Sequence, residues 1–109
     1  MVDLITDNLP AITVLCEKHG VRKLEVFGSA TTDRFDPETN DVDFVIEFLD
    51  RGPGYADRFF RFAEAIELLL GRQVDFVFGN KPMKNPYFRQ AVNESRVTIF
   101  ESRDRQAAA

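Results

Sequence analysis

Apolar positions along this chain switch between two periods, and the switches mark its elements. Over residues 7–19 they follow helical spacing: Ile12, Leu15, Cys16 and His19 form one stripe. Asp7 is suited to cap that helix, Pro10 fits its first turn and Gly20 is suited to end it. The period then drops to two. Residues 23–27 (KLEVF) predict a short strand that runs directly into Gly28-Ser29. In residues 41–48 (DVDFVIEF), Val42, Phe44, Ile46 and Phe48 face one way, and Asp41, Asp43, Val45 and Glu47 the other. Helical spacing returns over residues 55–70, with Phe59, Phe62, Ala63, Ile66, Leu69 and Leu70 in a broad stripe that Gly71 closes. Phe60 lies off the centre of that stripe and is expected at the edge of the core. Residues 73–78 (QVDFVF) alternate again, with Asp75 and Val77 opposite Val74, Phe76 and Phe78. Asn85-Pro86 opens a shorter helix to about residue 93, residues 96–100 (RVTIF) predict a last strand, and residues 101–109 predict a flexible tail.

Composition narrows the setting. At 109 residues the chain is expected to be a single domain over residues 1–109. An apolar fraction of 44%, with eleven Phe, supports a packed core and argues against disorder. No apolar run approaches the ~20 residues that span a bilayer, and the N-terminal MVDLITDNLP lacks the basic-then-apolar layout of a signal peptide. A net charge of −4 offers no broad footprint for a nucleic-acid backbone. The lone cysteine, Cys16, has no partner for an internal disulfide and lies on an apolar stripe, so a core role and a reducing cytoplasm are expected. The single His19 has no second histidine with which to build a ligand set.

Candidate chemistry gathers in two places. Gly28-Ser29 directly after a strand allows a sharp turn and a close ligand approach, and free amides at such a turn attract phosphate oxygens. The polar stretch that follows is neither a calcium-binding EF-hand loop nor a P-loop, since it lacks the glycine and terminal glutamate of the first and the Gly-Lys-Ser/Thr of the second. The strand after it opens with Asp41 and Asp43. If the strand at 73–78 joins the same sheet with its Phe-rich face inward, Asp75 falls on the same side as both. Like charges ~4 Å apart at a protein surface repel by about 4 kcal/mol, set against a small domain's stability of ~5–15 kcal/mol. Such a cluster requires a bound cation, protonation or wider spacing. Hard oxygen donors in a partly open site suit Mg²⁺, which retains waters and accepts phosphate oxygens.

A Gly-Ser turn, a polar spacer, Asp-x-Asp at the head of a strand, a helix and a "VDFV" strand together resemble the minimal nucleotidyltransferases, the smallest members of the polymerase-beta-like superfamily. The likeness runs from about residue 21 to 100. It implies an α/β (α+β) fold: a small mixed sheet of about four strands with helices packed on one face. It also implies that Gly28 and Ser29 hold nucleotide phosphates, that Asp41 and Asp43 bind Mg²⁺, and that Asp75 completes the metal site and helps deprotonate the acceptor. Many bacterial members are cytoplasmic antitoxins encoded beside a HEPN-type ribonuclease toxin, and some transfer AMP from ATP to a toxin tyrosine. A binding-only antitoxin is the alternative. The chain departs from the family pattern in two ways: its spacer from Ser29 to Asp41 is one residue longer than usual, and Thr32-Asp33 stands where Arg-Gly is common. Arg34 is the nearest cation and the candidate for that phosphate contact. Lys81, Lys84 and Arg89 are expected to be solvated or to face a partner.

Overall fold

Three strands carry the alternating patterns, and a fourth pairs with them at one edge. The structure, a computed structural model, describes residues 1–32, 35–36 and 41–103. Its elements run α1 (Asp3–Thr6), α2 (Leu9–Lys18), β1 (Val21–Phe27), a 3-10 turn (Gly28–Thr31), β2 (Val42–Phe48), α3 (Tyr55–Leu70), β3 (Val74–Phe78), α4 (Pro86–Ser95) and β4 (Val97–Glu101). The strands form one mixed sheet in the order β3-β2-β1-β4. β1 is antiparallel to both β2 and β4, while β2 and β3 are parallel. A parallel pair needs a long crossover, and α3 supplies it.

The core follows the alternation. Leu24, Val26, Val42, Phe44, Ile46 and Phe48 turn one sheet face toward Ile5 of α1, Ile12 and Cys16 of α2, and Phe62, Ile66 and Leu70 of α3. Aromatic rings join β2, β3 and α3: Phe44 stacks on Phe76 at 5.7 Å, and Phe59 meets Phe48, Phe76 and Phe78 at 6.3, 5.3 and 5.0 Å. Burial pushes the Cys16 thiol up to about 12, so it serves as an inert core group. Gly71, at φ +69°, ends α3 in the left-handed conformation that glycine adopts without strain.

Four details differ from the sequence expectation. The first helix is split in two: Asp7 follows the end of α1, and Asn8 rather than Asp7 precedes α2, its Nδ2 donating back to Leu4 O at 2.7 Å. One turn is too short to register as a period, although its Ile5 is fully buried. The helices also do not all share one face. α1, α2 and α3 do, whereas α4 packs on the opposite face, where Val92 closes a small second core with Phe27, Val45, Val77 and Met83. Phe60 lies on the surface, 66% exposed, its ring 5.4 Å from that of Phe59 at the rim of the aromatic cluster. Finally, Glu101 belongs to β4, and Ser102 N beyond it donates to Arg22 O at 2.7 Å. Among the described residues no helix is long and apolar enough to cross a membrane.

Candidate functional site

The face that α4 partly covers also carries the acidic side chains. In the β2–β3 register Asp43 stands opposite Asp75, and in the β1–β2 register it stands opposite Phe27, the last residue before Gly28. Paired residues in adjacent strands point to the same side and sit ~5 Å apart, so the parallel register puts the two carboxyl groups side by side. Asp41 lies just before β2, two residues from Asp43. Asp41 and Asp75 are exposed and Asp43 is half-buried.

Asp43 senses the other two charges. Burial first, then the charges of Asp75 and Asp41, lift the Asp43 carboxyl from its ordinary 3.8 to about 6. The alternation thus leads to a group with a perturbed titration set into an acidic surface, a common signature of a functional site.

Gly28 completes the geometry. Its φ of +75° is left-handed, and a Cβ built there would come within 3.1 Å of Asp43 Oδ2. Only glycine lets the turn close this near to the carboxylate. Side chains secure the turn: Thr31 Oγ1 donates to Gly28 O at 2.8 Å, and Thr32 Oγ1 donates to Ser29 O at 3.0 Å. The backbone adds Thr32 N to Ser29 O at 3.0 Å and Val2 N to Ala30 O at 3.1 Å. Ser29 follows Gly28 as the second residue of the 3-10 turn. Gly28, Asp43 and Asp75 are therefore adjacent, with Ser29 next along the chain and Asp41 two residues from Asp43. Arg34 lies outside the described residues, as do Asp33 and residues 37–40.

The donor set suits a hard divalent cation in part. Among the described residues, no three acidic, histidine or cysteine side chains converge on one point as a finished ligand cage. Mg²⁺ does not require such a cage: it binds through one or two carboxylates and completes its octahedron with water and phosphate oxygens. Asp43 and Asp75, mutually repelling and partly open to solvent, meet that requirement. A separate surface groove, about 670 Å³, lies between α2 and β4 beside Thr13, Ile99 and Phe100. Its rim carries Glu17 and Glu101, and none of its lining residues belongs to the aspartate cluster.

Two residues give no sequence signal for what they do here. Ser95, the last residue of α4, accepts a hydrogen bond from Gly28 N at 2.9 Å. Arg96, the next residue, holds Glu25 of β1, which is only 4% exposed: Arg96 Nε donates to Glu25 Oε2 at 3.1 Å and Nη2 donates to Oε1. The Glu25 position could be suspected from a charge in a strand interior, but its partner 71 residues away could not.

The chain belongs to the nucleotidyltransferase domain family, whose model matches residues 11–99. Its order of elements, its Gly-Ser turn and its strand-borne aspartates sit within that match. More narrowly, it is similar to a solved structure assigned as a minimal nucleotidyltransferase, at 30% identity and a TM-score of 0.67, over 88% of this chain and 95% of that one. It is also 26% identical to a Methanocaldococcus jannaschii protein assigned as a protein adenylyltransferase, over 79% of this chain and 84% of the relative. The fold recurs in a chain of the complex between tri-AMPylated Shewanella oneidensis HEPN toxin and MNT antitoxin, with a TM-score of 0.60 at 17% identity, over 94% of this chain and 79% of that chain. It recurs again in a toxin–antitoxin structure with AMP-PNP, with a TM-score of 0.65 at 18% identity, over 93% and 81%. The protein is a nucleotidyltransferase of the minimal type.

Proposed function

We propose that this nucleotidyltransferase is an antitoxin that transfers AMP from ATP to a tyrosine hydroxyl of a HEPN-type toxin. The observation that carries the reading is the in-register pair Asp43 and Asp75 beside the side-chain-free Gly28, within a chain of this family. Its support on the partner side is the fold shared with the HEPN toxin–MNT antitoxin complex and the relative assigned as a protein adenylyltransferase. The cytoplasm, with its ATP, is where this reading has the protein act.

The geometry supports the following division of roles. Asp41, Asp43 and Asp75 would hold Mg²⁺, which when bound would supply charge neutralisation for the triphosphate and the leaving pyrophosphate. The Gly28–Ser29 turn receives the phosphate oxygens, and the missing Cβ of Gly28 permits close approach. Asp75, exposed at the start of β3, accepts the proton of the attacking hydroxyl. The hydroxyl oxygen forms a bond to the α-phosphorus as the bond from that phosphorus to the bridging oxygen breaks, and pyrophosphate leaves. Such a reaction depends mainly on positioning and charge stabilisation, which a rigid two-strand platform supplies. Arg34 is the candidate for a further phosphate contact.

The test is a transfer assay with α-labelled ATP, Mg²⁺ and the toxin encoded beside this chain. Label should appear on a toxin tyrosine and disappear with Asp43→Asn. Equal labelling with the Asp43→Asn protein refutes the assigned roles. Inhibition of the toxin without ATP, and without labelling, supports the binding-only alternative instead.

A further inference from the structure

Gly28 is the point of greatest backbone freedom in the site, at φ +75°, and its amide is held from outside the turn. Gly28 N donates to Ser95 Oγ at 2.9 Å, while Ser95 Oγ donates to Ala91 O at 2.9 Å. A hydroxyl can do both at once, and the bond back to Ala91 commits its proton to the helix, leaving a lone pair for Gly28. The bond spans 67 residues and ties the end of α4 to the turn.

We propose that Ser95 is a positioning residue for nucleotide binding, its hydroxyl fixing the Gly28 amide and thereby the distance of the Gly28–Ser29 turn from Asp43. The proposal rests on the nucleotidyl-transfer reading of the site. It divides the work of Gly28 in two. The N–H is engaged by Ser95, and the empty Cβ position gives Asp43 Oδ2 its room at 3.1 Å. Without Ser95 the turn keeps its threonine bonds but loses the restraint at its most flexible residue, so the phosphate-binding backbone no longer has one position relative to the metal-binding carboxylates.

The end of α4 has its own anchor, which separates positioning from folding. Arg96 grips Glu25 through two donors, Arg96 Nη1 donates to Asn93 Oδ1 at 2.8 Å, and Thr98 Oγ1 reaches Glu25 Oε2 at 3.4 Å. Val92 is fully buried, and Phe88 meets Phe27 edge to face at 6.1 Å. Removing one hydroxyl from Ser95 leaves this anchor in place, so α4 stays docked while the turn loosens.

Calorimetric titration of the full chain with ATP in the presence of Mg²⁺, alongside Mn²⁺ alone followed by paramagnetic resonance, tests the proposal. Ser95→Ala should weaken ATP binding by about tenfold, the scale of effect that a small loss of positioning produces, with Mn²⁺ binding unchanged. Ser95→Thr, which keeps the hydroxyl, should restore ATP binding, and the Gly28 amide should exchange faster with solvent in Ser95→Ala than in Ser95→Thr. Wild-type ATP affinity in Ser95→Ala, while Asp43→Asn loses binding, overturns the proposal and leaves the nucleotidyl-transfer reading standing. Equal loss of Mn²⁺ and ATP in Ser95→Ala also overturns it, since the serine would then only support the fold. Failure of the wild-type chain to bind ATP with Mg²⁺ overturns both the reading and the proposal.

Discussion

Asp43→Asn should make the free protein more stable while removing its metal and nucleotide binding. Above about pH 7 the wild-type chain holds Asp43 charged in a half-buried position beside Asp75 and Asp41, and its carboxyl is lifted from 3.8 to about 6. Converted directly, that rise is about 3 kcal/mol; solvent screening of a half-exposed group reduces it to about 1 kcal/mol. The sign follows from proton binding. The folded state takes up the proton near pH 6 and the unfolded chain only near 3.8, so the cost of the charge is complete above pH 6, shrinks as pH falls through 6, and is gone below 3.8. In buffer with a metal chelator at pH 8, the Asn variant should therefore melt about 5 °C higher than wild type, the shift that about 1 kcal/mol produces in a domain of this size. At pH 3.5 the two should melt together. Adding Mg²⁺ and ATP at about 100 times the dissociation constant should stabilise only the wild type, by about 2.7 kcal/mol, and reverse the order. Scanning calorimetry or denaturant titration at several pH values reads all three outcomes. A variant less stable than wild type at pH 8 without metal would refute the claim that Asp43 is held against repulsion and burial.

Other substitutions test neighbouring parts of the argument. Gly28→Ala forces a side chain into a left-handed backbone and to within 3.1 Å of Asp43 Oδ2; we expect a loss of about 1–3 kcal/mol in urea unfolding and weakened ATP binding by calorimetry. Normal binding would show that close approach at Gly28 is dispensable. Arg96→Ala strands a buried Glu25 and should cost about 3 kcal/mol at pH 7. Burial raises the Glu25 carboxyl, but hydrogen bonding and charge from Arg96, with Lys23 and Thr98, outweigh it and bring it below 4.5. The stability this pair contributes is thus present above pH 4.5 and fades as pH falls through the lowered folded value, so the deficit of Arg96→Ala should narrow in acid; a deficit independent of pH would point to lost packing instead. Phe62→Ala, at the fully buried junction of α3 with His19 and Phe76, should cost about 3–5 kcal/mol, measured by denaturant midpoint, and a loss under 1 kcal/mol would contradict the assigned core.

Much of the chain was legible from period alone. The alternation in residues 41–48 and 73–78 told which side Asp41, Asp43 and Asp75 would take, because a strand offers its side chains only two directions. The stripe of residues 55–70 defined α3 to the residue, closed by a glycine whose left-handed φ the sequence position suggested. Amphipathic segments declare their inner face because each residue type settles its own solvation. Pairing across the sheet is different, since it depends on which strands meet and in which register. Only the fold set Asp43 against Asp75 and brought Phe27, and with it Gly28, beside Asp43. Only the fold put α4 on the carboxylate face, since its single buried residue, Val92, makes no stripe. The Ser95 bond to Gly28 and the Arg96 grip on Glu25 span 67 and 71 residues, and no local pattern encodes a contact between two such distant, ordinary polar residues. The sequence by itself determined which residues face the core and which side the aspartates take; the tertiary structure decided how close they stand, because distance between strands is set by packing of the whole sheet.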